Sequence, residues 1–234
     1  MKLLFIFLLF SGITLAQQTI NGSIIHGGLT RTYILYVSAS YSAGKAVALV
    51  FNFHGYTSNS NEQMLYADFR PIADTANFIL VHPMGTLDGS NQPYWNSGWG
   101  GSVDDIGFTS ALIDSLSADY SINPNRIYST GMSNGGFMSY TLACELSDRI
   151  AAIASVTGTM NVNQSATCSA QHPMPVMEIH GTADATVPYI GNAAMASIAT
   201  AMNYWVNCNN CTSTPTVTPV TNTSTTDGCT AEHS

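Results

Sequence analysis

Ser133 lies at the centre of Gly131-Met132-Ser133-Asn134-Gly135, a sequence with the pattern G-x-S-x-G. Residues 126–130 before it have the composition of a strand, and residues 136–146 after it can form a helix. A serine in a tight strand–turn–helix connection can act as a nucleophile because the turn exposes its hydroxyl group. The bare pattern also occurs in ordinary glycine-rich turns, but the flanking segments favour a nucleophile at Ser133.

Strand-like and helix-like segments alternate between residues 19 and 206, with a glycine turn between the first two strands. Residues 19–25, 31–37, 46–53, 78–82, 126–130, 150–156 and 175–180 are predicted strands, and residues 61–76, 108–120, 136–146 and 192–206 are predicted helices. This alternation predicts an α/β fold with a mostly parallel sheet and helices on both faces. Functional side chains are then expected in the loops that follow the strands.

Asp184 occupies such a loop, after the predicted strand at residues 175–180. A serine nucleophile needs a general base, and an acidic residue must orient that base. The order of Ser133 and Asp184 along the chain fits this arrangement, so Asp184 is the predicted acid. The alternative is a solvated loop carboxylate without a catalytic role.

Two backbone N–H groups are predicted to stabilise the negative charge that develops on a substrate carbonyl oxygen. One belongs to Tyr56, in the loop after the first buried strand, and the other belongs to Asn134, next to the nucleophile. His54 and His180 are predicted to form structural hydrogen bonds rather than to act as the base. The sequence assigns no role to His26, His82 or His172.

With these motifs in place, the chain resembles the secreted esterases grouped as polyhydroxybutyrate depolymerase-like and feruloyl esterase-like α/β-hydrolases. The resemblance covers about residues 30–206 and rests on residues 53–56, 94–96, 103–108, 131–140 and 180–184. It implies an α/β-hydrolase fold and ester hydrolysis through an acyl-enzyme on Ser133, with Asp184 in the triad. The implied substrates are hydroxyalkanoate polyesters and feruloyl or acetyl esters of polysaccharides, with no cofactor and no metal.

A loop rich in glycine and tryptophan precedes Asp104. Trp95 and Trp99, with Tyr94, are candidates for the wall of a substrate pocket, where a flat feruloyl ring could stack on them. Aromatic residues that only cap the sheet are the alternative. Asp104 and Asp105 could bind a cation or act as an acid and base, but they are expected to anchor a loop or to cap the helix near residue 108.

The histidine of the triad has no obvious counterpart in this sequence. The resembled family places it after a further strand, but residues 207–234 are rich in Thr, Ser, Asn and Pro and contain no apolar run. His233 satisfies the order of the triad, yet no strand precedes it. We therefore predict an α/β-hydrolase domain at residues 17–206 that lacks its last strand and helix. Residues 207–234 would lead to a missing C-terminal part.

The chain contains five cysteines, at positions 144, 168, 208, 211 and 229. In an exported protein they are expected to form disulfides, and the odd number leaves one without a partner. The spacing of the last three, with His233, also has the form of a Cys₃His zinc site. Export to an oxidising compartment favours disulfides over zinc.

Residues 1–16 have the anatomy of a secretory signal peptide: one lysine, a short apolar run and a small-residue cleavage site. The predicted mature protein is extracellular or periplasmic, without a permanent membrane anchor. A net charge of −8 gives no basic patch for nucleic acid. We expect a monomer whose partner is an ester substrate. Two alternatives remain open: an exported protein that binds esters or glycans without turnover, and a serine peptidase of similar fold.

Overall fold

The computed structural model describes residues 17–226 and the backbone of residues 232 and 233. The predicted signal peptide at residues 1–16 lies outside the described residues. The strands are β1 (Gln18–His26), β2 (Leu29–Val37), β3 (Val47–Phe53), β4 (Phe78–Pro83), β5 (Thr86–Leu87), β6 (Pro93–Tyr94), β7 (Ile122–Met132), β8 (Ala152–Val156), β9 (Val176–Ile179), β10 (Thr218–Pro219) and β11 (Glu232–His233). The helices are α1 (Ser60–Tyr66), α2 (Arg70–Ala76), α3 (Asp105–Asp119), α4 (Asn134–Glu145), α5 (Gln164–Thr167) and α6 (Ile198–Cys208).

Seven strands form the main sheet in the order β1-β2-β4-β3-β7-β8-β9. The hairpin of β1 and β2 pairs antiparallel with β4, and all the later pairs are parallel. The predicted α/β fold with a mostly parallel sheet is confirmed. Within the described residues, β9 is the last strand on its side of the sheet.

Alternate residues of the central strands point to opposite faces of the sheet, and each face has its own core. Leu49 and Phe51 belong to the larger core, which α3, α4 and α6 cover, whereas Val50 between them packs with the smaller core under α2. This period of two is the expected geometry of a strand that is buried on both sides. Farther along the second face, β7, β8 and β9 line an open apolar groove of about 470 Å³.

Two predicted helices have different bounds in the structure. The helix expected at residues 61–76 is interrupted, because Pro71 disfavours helical geometry before it and Asp68 binds the Arg70 amide at 3.0 Å. The helix expected from residue 192 begins at Ile198. The Asn192 side chain instead holds a turn, and Ser197 is the N-cap that accepts a bond from the Thr200 amide.

A buried ion pair joins the hairpin to the start of α3. The Arg31 guanidinium donates to Asp105 over 2.5 Å, and both side chains are almost fully buried. The other Asp105 oxygen accepts from the Asn96 amide at 2.7 Å, and Asp104 caps α3 by accepting from the Gly107 amide at 2.8 Å. The predicted anchoring and capping roles of these two acids are confirmed.

Outside the main sheet, the structure adds a disulfide and a short terminal pairing. Cys144 on α4 is bonded to Cys168 after α5, so some of the cysteines pair as expected. Cys208 and Cys211 are free, and Cys229 lies outside the described residues. The short strands β10 and β11 pair with each other rather than with the main sheet. In the described part of the chain, no helix has the length and apolar character to span a bilayer.

We expect Arg31→Met to lower the free energy of unfolding by about 3–5 kcal/mol, because it leaves the Asp105 carboxylate buried without its cation. Urea denaturation measures this change. Asp114→Asn is the control, since it removes an ion pair with Arg149 in which Asp114 is largely exposed, and it should change stability by less than about 1 kcal/mol. Equal effects of the two substitutions would contradict the prediction.

Candidate active site

Ser133 connects β7 to α4 in a strained backbone conformation, with φ 53° and ψ −117°. Non-glycine residues rarely adopt a positive φ, and such strain is concentrated at functional sites. The Ser133 amide donates to the Val156 carbonyl at 2.8 Å, and its own carbonyl accepts from Phe137 at 3.0 Å. These two bonds hold the turn between the central strand and the helix.

Gly131 and Gly135 permit this turn because the backbone of the neighbouring strand is too close for a side chain. A Cβ atom at Gly131 would lie 2.6 Å from the backbone of Gly135, and one at Gly135 would lie 2.2 Å from the Phe53 carbonyl oxygen. Glycine is needed here for close approach rather than for its φ angle. The two flanking glycines of the motif therefore let β3, β7 and α4 converge at Ser133.

Asn134 is the first residue of α4 and binds the loop between β6 and α3, residues 95–104, which we call the tryptophan loop. Its side chain accepts from the Trp95 amide at 2.6 Å and donates to the Trp95 carbonyl at 3.1 Å and the Ser97 hydroxyl at 3.0 Å. The first N–H groups of a helix have no partner within the helix and carry a partial positive charge. The Asn134 N–H, one of the two predicted oxyanion donors, lies at this end of α4.

Tyr56, the second predicted donor, belongs to a loop that His54 fixes. Gly85 N–H donates to His54 Nε2 at 3.0 Å, so the other ring nitrogen, Nδ1, carries the proton and donates to Gly55 O at 2.7 Å. Burial lowers the pKa of His54, which keeps the ring neutral. Both ring nitrogens are occupied, and the predicted structural role of His54 is confirmed.

A pocket of about 360 Å³ opens beside Ser133, and five of its eleven lining residues are aromatic. Its two tryptophans differ: Trp95 is fully buried and donates from Nε1 to the His54 carbonyl, whereas 43% of Trp99 is exposed, and its ring lies 5.4 Å from that of Phe137. Trp95 thus forms the base of the pocket, and Trp99 offers a free aromatic surface. The residues around the pocket are Tyr56, Asp88, Tyr94, Trp95, Trp99, Ser133, Asn134, Phe137, Thr186, Val187 and Met195.

Asp184 lies at the end of the sheet that carries Ser133, in the loop after β9. Its Oδ1 accepts from the Val187 amide at 2.9 Å and the Thr186 amide at 2.8 Å, and these bonds lower the pKa of the carboxyl. Its Oδ2 is 3.7 Å from His180 Nε2. Asp184 itself is not in the pocket wall, but Thr186 and Val187 are.

The five histidines with described side chains all lie outside the lining of the Ser133 pocket. His26 binds Asp104, His172 binds the Ser147 and Pro173 carbonyls, and His180 binds Glu178 and the Val187 carbonyl. His82 is fully buried on β4. The structural role predicted for His180 is confirmed, and the His233 side chain lies outside the described residues.

The family model described as phospholipase/carboxylesterase matches residues 37–218. The chain belongs to this family. Solved structures agree on the fold: a thermostable esterase has a TM-score of 0.62 at 17% identity, covering 82% of this chain and 52% of that one. Esterase PE8 has a TM-score of 0.55 at 22% identity, covering 74% and 82%.

Curated relatives of this carboxylesterase-family chain are named as acetylxylan and feruloyl esterases. A bifunctional acetylxylan esterase/xylanase of Neocallimastix patriciarum is 27% identical over 74% of the chain, and feruloyl esterase B of Piromyces equi is 26% identical over 79%. A protein of Aspergillus flavus named probable feruloyl esterase C is 28% identical over 82%. The chain covers 24%, 37% and 68% of these three relatives, respectively.

In this family member, Gly135→Ala should disrupt the turn, since the added methyl group would overlap the Phe53 carbonyl oxygen. We expect a loss of stability of about 1–3 kcal/mol or more from this overpacking, measured by thermal unfolding. Gly44→Ala is the matched control, because nothing lies within 4 Å of its added Cβ. If Gly135→Ala unfolds at the same temperature as the control, the close packing of Gly135 against the Phe53 carbonyl is contradicted.

Proposed function

We propose that this chain is a secreted carboxylic-ester hydrolase that forms an acyl-enzyme on Ser133. The observation that carries the proposal is the strained Ser133, which lies beside the N-terminus of α4 and opens into the aromatic pocket. The carboxylesterase family supports the reaction type. The disulfide between Cys144 and Cys168 supports export, as do residues 1–16 of the sequence.

In the proposed reaction, Ser133 Oγ attacks the ester carbonyl carbon while a base takes the hydroxyl proton. The N–H groups of Tyr56 and Asn134 stabilise the oxyanion, and the proton then passes to the alcohol as it leaves. Water then attacks the acyl carbon while the base takes its proton, and the acid leaves as Ser133 Oγ regains a proton. Asp184 is the proposed acid that orients the base, and its lowered pKa keeps it ionised at neutral pH.

An imidazole is the group that this site still needs. Four of the described histidines bind other partners, and the fifth, His82, is fully buried on β4. His233 is the remaining histidine in the sequence, and it follows Asp184 in the order that a triad requires. A small imidazole molecule can enter the open pocket beside Ser133, and its effect on the rate tests whether the site lacks a base.

Feruloyl esters of plant polysaccharides are the proposed substrates, ahead of acetyl esters and hydroxyalkanoate polyesters. The pocket is walled by the rings of Tyr94, Trp99 and Phe137, which suit the flat ring of a ferulic acid group. An acetyl group would leave most of its volume of about 360 Å³ unfilled. The feruloyl esterase named among the relatives supports the same choice.

We expect hydrolysis of p-nitrophenyl acetate by residues 17–234 to depend on Ser133 and to increase on addition of imidazole. The comparison is with Ser133→Ala, which keeps the same backbone preference at the strained position and reports the background rate of imidazole alone. Loss of the nucleophile should remove all the enzyme-dependent rate, typically a factor of about 10³ or more. The measurement is the release of p-nitrophenol.

Equal rates for the two proteins, with and without imidazole, would contradict the proposed function and favour an ester-binding protein without turnover. If Ser133-dependent turnover is already strong without imidazole, His233→Ala identifies the base. That substitution should then abolish the rate, and added imidazole should restore part of it.

Trp99→Ala should weaken the hydrolysis of methyl ferulate by about 2–10-fold in kcat/KM, because the substrate loses a stacking surface. Hydrolysis of p-nitrophenyl acetate should change little, since an acetyl group has no flat ring to stack on Trp99. Tyr66→Ala is the control, as Tyr66 is exposed but lies outside this pocket. An equal loss on both esters would contradict an aromatic acyl site.

A further inference from the structure

Glu178 is a buried acid that the proposed reaction does not use. It lies on the face of β9 that is turned toward α4, and only 4% of its side chain is exposed. The residues on either side of it, Met177 and Ile179, are exposed on the opposite face. An ionisable side chain on the inward face of a strand is costly to bury unless its hydrogen bonds are satisfied.

Two neighbours satisfy the Glu178 carboxyl group. The Tyr140 hydroxyl on α4 donates to its Oε2 at 2.8 Å, and His180 Nδ1 is 3.1 Å from its Oε1. The other ring nitrogen, His180 Nε2, is 2.8 Å from the Val187 carbonyl, which can only accept. Nε2 therefore carries a proton, and the contact between Nδ1 and Oε1 requires one further proton, on either atom.

His180 connects this proton to the Asp184 loop. The peptide groups of Val187 are bound on both sides: its N–H donates to Asp184 at 2.9 Å, and its carbonyl accepts from His180 at 2.8 Å. Thr186 also donates to Asp184 and, like Val187, lines the pocket of Ser133. The position of the loop is thus fixed jointly by a carboxylate and an imidazole.

We propose that Glu178 is a positioning residue, which holds the Asp184 loop in place through the proton that it shares with His180. The proposal concerns the residue assigned above as the acid of the triad, and it therefore rests on the proposed function. Glu178 itself touches neither Ser133 nor the pocket that Ser133 opens into.

The shared proton should be lost as the pH rises above neutrality. Burial raises the pKa of Glu178 to about 7, while the bonds from Tyr140 and His180 act in the opposite direction, as does the neighbouring Ser155 hydroxyl on β8. The side chain that α6 places beside the Tyr140 hydroxyl is the uncharged Met202, at 3.9 Å.

Below this pH the proton joins Glu178 to His180. Above it, the neutral ring has one N–H for two acceptors, so His180 should donate it to the Glu178 carboxylate and release the Val187 carbonyl. The stability of the fold depends on pH in the same direction. Because the pKa of Glu178 is higher in the folded protein than in the unfolded chain, this residue stabilises the fold at low pH, and that contribution is lost as the pH rises to about 7. If Glu178 were only a structural residue, its titration would change the stability of the fold and leave the Asp184 loop unchanged.

The test is an NMR titration of residues 17–234 labelled with ¹⁵N at histidine, threonine and valine. In the wild-type protein, the His180 ring signals and the amide signals of Thr186 and Val187 should shift together, with one midpoint near neutral pH. The ring of His172, which binds the Ser147 and Pro173 carbonyls, is the internal control. Its NMR signals should be the same in the wild type and in every variant.

Glu178→Gln is the decisive variant because an amide imitates the protonated acid. Its oxygen can accept from Tyr140 and its N–H can donate to His180 Nδ1, so the contact persists at every pH. In this variant, the pH-dependent shift shared by the Thr186 and Val187 amide signals should disappear. The unfolding temperature of the wild type should also fall relative to this variant, by about 5 °C or more between about pH 5 and about pH 8.

Tyr140→Phe is a second, milder variant that keeps the aromatic ring. It removes a hydrogen bond that lowers the pKa of Glu178, so the midpoint of the loop transition should move up by about one pH unit. The proposal is overturned if Thr186 and Val187 show the wild-type midpoint in Glu178→Gln, or if their midpoint is unchanged in Tyr140→Phe. These NMR outcomes do not involve Ser133, so they are separate from the outcome of the Ser133→Ala assay.

Discussion

The close approach of backbone segments around Gly131 and Gly135 is the constraint on which the rest of the site depends. The Phe53 carbonyl lies so near both glycines that no side chain fits at either position. This packing brings β3, β7 and α4 together around Ser133, whose φ is positive. Ser133, the loop after β3 and the first turn of α4 are thereby placed at one end of the sheet by a single feature.

Buried polar groups then attach the surrounding loops to this centre. His54 bridges the loop after β3 to the loop after β4, and Asn134 holds the tryptophan loop at the start of α4. Asp105, the partner of Arg31 in the buried ion pair, holds the same loop by accepting from the Asn96 amide. Each contact satisfies a group that would be costly to leave unpaired in the interior, so these bonds stabilise the loops that shape the pocket.

Much of this could be predicted from the sequence because apolar runs and glycines are local signals. The strands, the turn at Ser133 and the loop of Asp184 follow from such patterns. The sequence pattern does not predict the break before Pro71, although the physical reason for the break is local. Apolar residues continue at helical spacing on both sides of it, and this pattern indicates one helix. Which tryptophan would be buried depended on the Trp95 hydrogen bond to a distant carbonyl, and no pattern in the chain encodes that.

The strained backbone conformation of Ser133 also has an evolutionary consequence. A non-glycine residue in this region of φ and ψ costs on the order of 1–3 kcal/mol, which is a large share of the stability of a single domain. Selection for folding alone would favour glycine here, since glycine adopts a positive φ without penalty. In a lineage that no longer needs the hydroxyl group, glycine is therefore the residue that drift should bring to position 133.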